Sequence, residues 1–125
     1  MRLSLFALLV PEYDAGIAFF TAIGFALTED SDRGGGKRWV TVAPPGGGSS
    51  LLLARAVGDQ RAAIGQQTGG RVGFFLTSDD FAADAARITG AGGTFEEQAR
   101  HEPYGIVAVF RDPFGNRWDL IQPAP

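Results

Sequence analysis

The chain has no cysteine, one histidine and one methionine in 125 residues. Without cysteine there is no disulfide, no thiolate nucleophile and no cysteine-bound zinc. With His101 as the lone histidine, any site that needs two histidines from one chain is excluded. A surplus of basic charge is also missing, since 11 Lys and Arg stand against 14 Asp and Glu for a formal charge of −3. That balance gives no electrostatic footprint for nucleic acid or an anionic membrane. Long apolar runs are scarce too. Met1–Val10 (MRLSLFALLV) lacks the cleavage pattern of a signal peptide and is too short to span a bilayer. It is expected to be a buried first strand, and the setting to be a bacterial-style cytoplasm.

What is present is a 45% hydrophobic chain, punctuated by 18 glycines. A domain of this size buries about two-thirds of its extended-chain surface, enough for a core without staples. Leu3–Val10 is a continuous apolar strand ended by Pro11. Asp14 is expected to cap a helix over Ala15–Ile23, with Gly24 as its stop. Phe25-Ala-Leu-Thr opens a second strand, and the polar SDRGGG stretch, Ser31–Gly36, reads as a turn. Arg38–Ala43 and Leu51–Ala54 are the third and fourth strands, and Val57–Gly70 is a linker with little apolar periodicity.

The pattern then restarts. Arg71–Leu76 is a strand, a helix begins at Ser78 or Asp79, and Gly90-Ala-Gly-Gly ends it. Thr94–Glu97 is a strand, Arg100–Pro103 a loop, and Tyr104–Phe110 a strand. The last strand follows the turn Asp112-Pro113-Phe114-Gly115-Asn116. Superposing Trp39–Ala43 on Ile106–Phe110 brings Gly48 onto Gly115 and Leu51-Leu52-Leu53 onto Trp118-Asp119-Leu120. The chain is two copies of one supersecondary unit, about 1–56 and 71–122. In the last strand Asp119 alternates with Trp118 and Leu120, so an acid shares a sheet face with Arg117 and Ile121. It is either a functional group or the ion-pair partner of Arg117 or Arg111.

The tandem βαβββ plan, FFTAIGF at the first helix and DPFGNRWDLIQ at the end resemble the vicinal-oxygen-chelate superfamily over about Leu3–Gln122. That group includes glyoxalase I, extradiol dioxygenases and bleomycin-binding proteins. The resemblance implies an α+β protein in which two tandem modules form a cupped mixed sheet, with ligand in the cup and a homodimer as the usual assembly. Enzymes of the group place metal ligands at four strand positions, which here carry Leu5, Leu52, Gly73 and Asp119. One carboxylate holds a divalent ion poorly, so the inherited metal site is expected to be lost and no cofactor is expected.

Alternation then gives the expected lining of the cup: Leu5, Ala7 and Leu9 from the first strand, Leu52, Gly73, Phe75, Ile121 and Asp119. Tyr104 is expected at its rim with His101 and Glu102. The resemblance, taken with this lining, implies three functions. One is a metal-free binder of a small, partly apolar molecule. Another is a metal-dependent lyase or dioxygenase that reuses His101, Glu102 and Asp119 as ligands. The last is a cofactor-free enzyme with Asp119 or His101 as general base.

Overall fold

The computed structural model describes residues 1–125, which fall into two compact units, Met1–Ile64 and Gly65–Pro125. The first unit runs β1 (Leu5–Val10), α1 (Tyr13–Ala22), β2 (Ala26–Gly34), β3 (Lys37–Ala43) and β4 (Ser50–Arg55). Its sheet order is β1-β4-β3-β2. β1 lies parallel to β4, while the other pairs are antiparallel. A short 3-10 helix, Gly58–Ala63, lies within the stretch expected to be a linker.

The second unit repeats the plan. It runs β5 (Phe74–Thr77), α2 (Phe81–Gly90), β6 (Thr94–Phe95), β7 (Arg100–Glu102), β8 (Gly105–Arg111) and β9 (Arg117–Pro123). β5 is parallel to β9, and β9 is antiparallel to β8. Where the first unit has one long edge strand, β2, the second has two short ones, β6 and β7, both paired to β8. Arg100–Glu102 is therefore strand rather than the expected loop. The gap between β6 and β7 leaves the Val109 N–H without a strand carbonyl, and the Glu97 carboxylate takes it at 3.0 Å. Ser31–Gly34, read as part of a turn, likewise belongs to β2, and only the glycines beyond it turn the chain.

Both helices stop in the same way, which marks the repeat at backbone level. The Phe25 N–H reaches the Phe20 carbonyl at 2.9 Å, and the Gly24 N–H reaches Thr21 at 3.1 Å. In α2 the Gly93 N–H reaches Ile88 at 2.9 Å and the Gly92 N–H reaches Thr89 at 3.2 Å. This closure needs a left-handed residue just past the helix, and Gly24 and Gly92 have φ of 107° and 104°. The helix starts differ. Asp80 caps α2 through the Ala83 N–H at 3.1 Å. Asp14 caps nothing; it lies inside α1 and pairs with Arg38 at 2.9 Å. The extended Glu12 after Pro11 starts α1 without a side-chain cap.

Burial alternates along β9, where Trp118 and Leu120 are buried and Asp119 and Ile121 half-buried. Val107–Phe110 of β8 are instead buried without a break, and Phe6 of the expected buried first strand is 38% exposed. In the first unit Leu8, Val10, Val40, Val42, Leu53 and Phe20 are all fully buried between sheet and helix. In the second, Phe110, Trp118 and Leu120 form the corresponding layer with Ile88 of α2. Trp118 stacks between Phe74 and Phe110, with ring centroids 4.7 and 5.9 Å away. No helix is long and apolar enough to cross a membrane.

Candidate functional site

The closing turn of the chain is what positions Asp119. Asp112 is buried, and its carboxylate gathers four donors. The N–H groups of Phe114 and Asn116 reach Oδ1 at 2.9 and 3.0 Å. Asn116 Nδ2 and Trp118 Nε1 reach Oδ2 at 2.8 and 3.0 Å. The turn sequence is thus a cradle around one carboxylate that pins Trp118 to the α2 side of the sheet. With Trp118 fixed there, strand alternation sends Asp119 to the opposite face.

On that face Asp119 registers with Phe75 and Val109, and Ile121 registers with Thr77 and Val107. Phe75 is 68% exposed, a large ring left open beside the acid. The Asp119 Oδ1 atom is buried and has no hydrogen-bond partner. Neither arginine suggested as its partner holds it. Arg117 donates to Glu96 at 2.9 Å and to the Gly70 carbonyl at 3.0 Å. Arg111 lies 3.4 Å from Glu96. Arg100 is bound by Glu97 at 2.7 Å and Glu102 at 3.4 Å. Burial pushes the Asp119 carboxyl above the usual carboxylate range; the Arg100 charge pulls it back, Glu97 raises it further and Arg117 opposes. Glu97 moves the other way, held low by the Val109 N–H and then by Arg100.

This face is more charged than the expected lining of mostly apolar groups around one acid. Glu96, Glu97 and Glu102 pair with Arg100, Arg111 and Arg117, leaving Asp119 as the carboxylate without an arginine. The run FEEQAR, with three charges beside a strand break, was the available sequence signal for this network.

In the first unit Leu5, Ala7 and Leu9 register with Ser50, Leu52 and Ala54, and Leu52 with Thr41, so these share the face opposite α1. Gly73 is not beside open space. A side chain there would begin 2.2 Å from Thr68 Cγ2, so Thr68 fills the room that the small residue leaves. His101 is exposed and registers with Ile106, hence with Gln122, whose Oε1 accepts from the Phe81 N–H at the start of α2 at 2.7 Å. It stands on the α2 side of the sheet, opposite to Asp119, and the two do not form an acid–base pair. Tyr104 is 55% exposed in the turn between β7 and β8.

The donor set does not fit a divalent ion. Leu5, Leu52 and Gly73 have no ligating atoms in their side chains, and no three His, Cys, Asp or Glu side chains converge anywhere.

Fold, turn and strand positions together define a protein class. The chain belongs to the Glyoxalase/Bleomycin resistance protein/Dioxygenase superfamily, whose profile matches residues 2–120. An uncharacterized protein of Shewanella frigidimarina (strain NCIMB 400) is 48% identical over 120 residues, 93% of this chain and 89% of its own length. Among solved structures, TnmS3, an antibiotic binding protein from Streptomyces sp. CB03234, is 31% identical with a TM-score of 0.75, covering 99% of this chain and 97% of that one. UcmS2 is 29% identical with a TM-score of 0.78 and 97% coverage of each chain.

Proposed function

We propose that the protein binds a small, partly apolar, aromatic molecule without a metal ion, and that Asp119 is the polar group that orients it. The observation that carries this reading is the buried, unpartnered Oδ1 of Asp119 beside the exposed ring of Phe75. An unsatisfied buried acceptor costs about 1–3 kcal/mol, more when charged, and a ligand donor that reaches it offsets that cost on binding. Mostly apolar sites orient ligands through a few such groups. A flat ring on Phe75 with a hydrogen-bond donor or positive group toward Asp119 matches this arrangement. The likeness to an antibiotic binding protein at 31% identity supports a binding role. The donor set at the superfamily's metal positions supports metal independence.

A general-base role is the second reading, favoured by the raised Asp119 pKa, since a carboxylate poised upward accepts protons better. It requires turnover, which a pure binder lacks.

The binding reading is tested by calorimetric titration of 2-naphthylmethylamine and 2-naphthalenemethanol against wild type and Asp119→Asn. The ammonium compound is expected to bind the tighter of the two. It should lose about tenfold or more in the variant, the scale of a charge-assisted hydrogen bond. Equal binding of both compounds, unchanged by the substitution, would overturn the role of Asp119.

A further inference from the structure

A second site lies within the first unit, where its sheet comes apart. β3 and β4 pair only through Val40, Thr41 and Val42 against Leu53, Leu52 and Leu51. Past Val40, β3 follows β2, with Trp39 against Ser31 and Arg38 against Asp32. β4 follows β1, with Ala54 against Leu9 and Arg55 against Val10. The parted ends enclose a pocket of about 410 Å³ lined by Tyr13, Lys37, Arg38, Trp39, Leu52 and Arg55, with Val57 and Gln60 at one side. That volume lies within the usual range for small-molecule sites, about 300–1,000 Å³.

The pocket's charge is one-sided, because no carboxylate is among the residues that line it. Arg38 is already engaged, with Asp14 at 2.9 Å and Asp30 at 2.7 Å, both outside the lining. Arg55 and Lys37 make no ion pair, and neither side chain has a hydrogen-bond acceptor. The Arg55 guanidinium lies over the Tyr13 ring at 5.5 Å and reaches across the gap, 3.5 Å from where a side chain on Gly36 would begin. Tyr13 is itself fixed, its hydroxyl accepting from the Arg38 N–H at 3.1 Å. A half-buried guanidinium, preset by an aromatic ring and with its donors unused, is built to take a planar or tetrahedral anion in a forked geometry.

We propose that the gap between β3 and β4 binds the anionic group of a small aromatic molecule, a carboxylate or a sulfate or phosphate ester. Arg55 forks the anion and Lys37 adds a second positive charge. Trp39 and Leu52 take the ring. This site is built within the first unit, whereas Asp119 belongs to the second and calls for the opposite ligand charge.

The test titrates 2-naphthoate, 2-naphthyl phosphate and the neutral 2-naphthamide against wild type, Arg55→Gln, Lys37→Gln and Arg71→Gln. Arg71, exposed in a turn, controls for net charge. The two anions are expected to bind at one site per chain and the amide at least about tenfold more weakly. Arg55→Gln should erase most of that difference, Lys37→Gln part of it, and Arg71→Gln none. Lys37 is exposed, so its variant folds even if the Arg55 variant does not. The chain has two tryptophans, and the indole N–H resonance of Trp39, assigned with Trp39→Phe, should shift while that of Trp118 stays. Equal binding of anions and amide would overturn the proposal. So would wild-type affinity in Lys37→Gln, equal weakening in Arg71→Gln, or a shift of Trp118 alone.

Discussion

Replacing Asp112 by alanine removes the acceptor at the centre of the closing turn. Three of its four donors, the Asn116 N–H, Asn116 Nδ2 and Trp118 Nε1, belong to buried residues with 3% exposure each. A buried donor left unsatisfied costs about 1–3 kcal/mol, so three of them set a range of about 3–9 kcal/mol. The removed carboxylate leaves room for water to satisfy part of the set, which brings the expected loss to about 3–5 kcal/mol. For a chain of this size that lowers the melting temperature by about 10–20 °C. The assay is thermal and urea unfolding in a Trp39→Phe background, where fluorescence reports Trp118 and so the second unit. Asp112→Asn should fall in between, because its amide turns one acceptor into a donor facing donors. If Asp112→Ala melts within about 3 °C of its parent, the turn does not depend on the carboxylate and the reasoning about Trp118 and Asp119 fails.

Asp119→Asn is expected to stabilise the free protein at neutral pH. A carboxyl whose folded pKa lies above its ordinary value of 3.8 loses stability as pH rises from that value through the raised one. The gain from the amide should therefore be full above the raised pKa and vanish toward acid pH; a gain independent of pH in melts across that window would count against the raised carboxyl. Zinc, nickel or manganese in modest excess should leave the melting temperature unchanged, since ions stabilise only by binding the folded state. A metal-dependent rise removed by Asp119→Asn would restore the metal-dependent enzyme reading.

The repeat was legible because it rests on local chemistry. The helix stops at Gly24 and Gly92 and the turn around Asp112 are written in neighbouring residues, and alternation along β9 then places Trp118 and Asp119. What escaped depends on contacts between distant positions. Nothing local shows that β6 and β7 break where Glu97 can take the Val109 N–H. Nor does it show that Arg117 turns to Glu96 and Gly70 rather than to Asp119 two residues away. His101 is expected at the rim as a loop residue; as part of β7 its face follows from register with Ile106. Gly73 belongs to the expected lining, and Thr68, from the stretch read as linker, occupies the space where its side chain would stand. The gap between β3 and β4 depends on which partner each strand follows, and a sequence of alternating apolar residues does not encode that.

The role of Asp119 is tested most directly by its own titration. The ¹³C signal of the Asp119 side-chain carboxyl, followed against pH with and without saturating 2-naphthylmethylamine, reports whether ligand meets that atom. The free protein is expected to titrate above the ordinary value of 3.8, through burial of the carboxyl. Bound ligand should drive the midpoint down, because a donor at Oδ1 favours the charged form. A midpoint already below 3.8 in the free protein, or one that ligand leaves in place, would contradict the assignment of Asp119 as the orienting group.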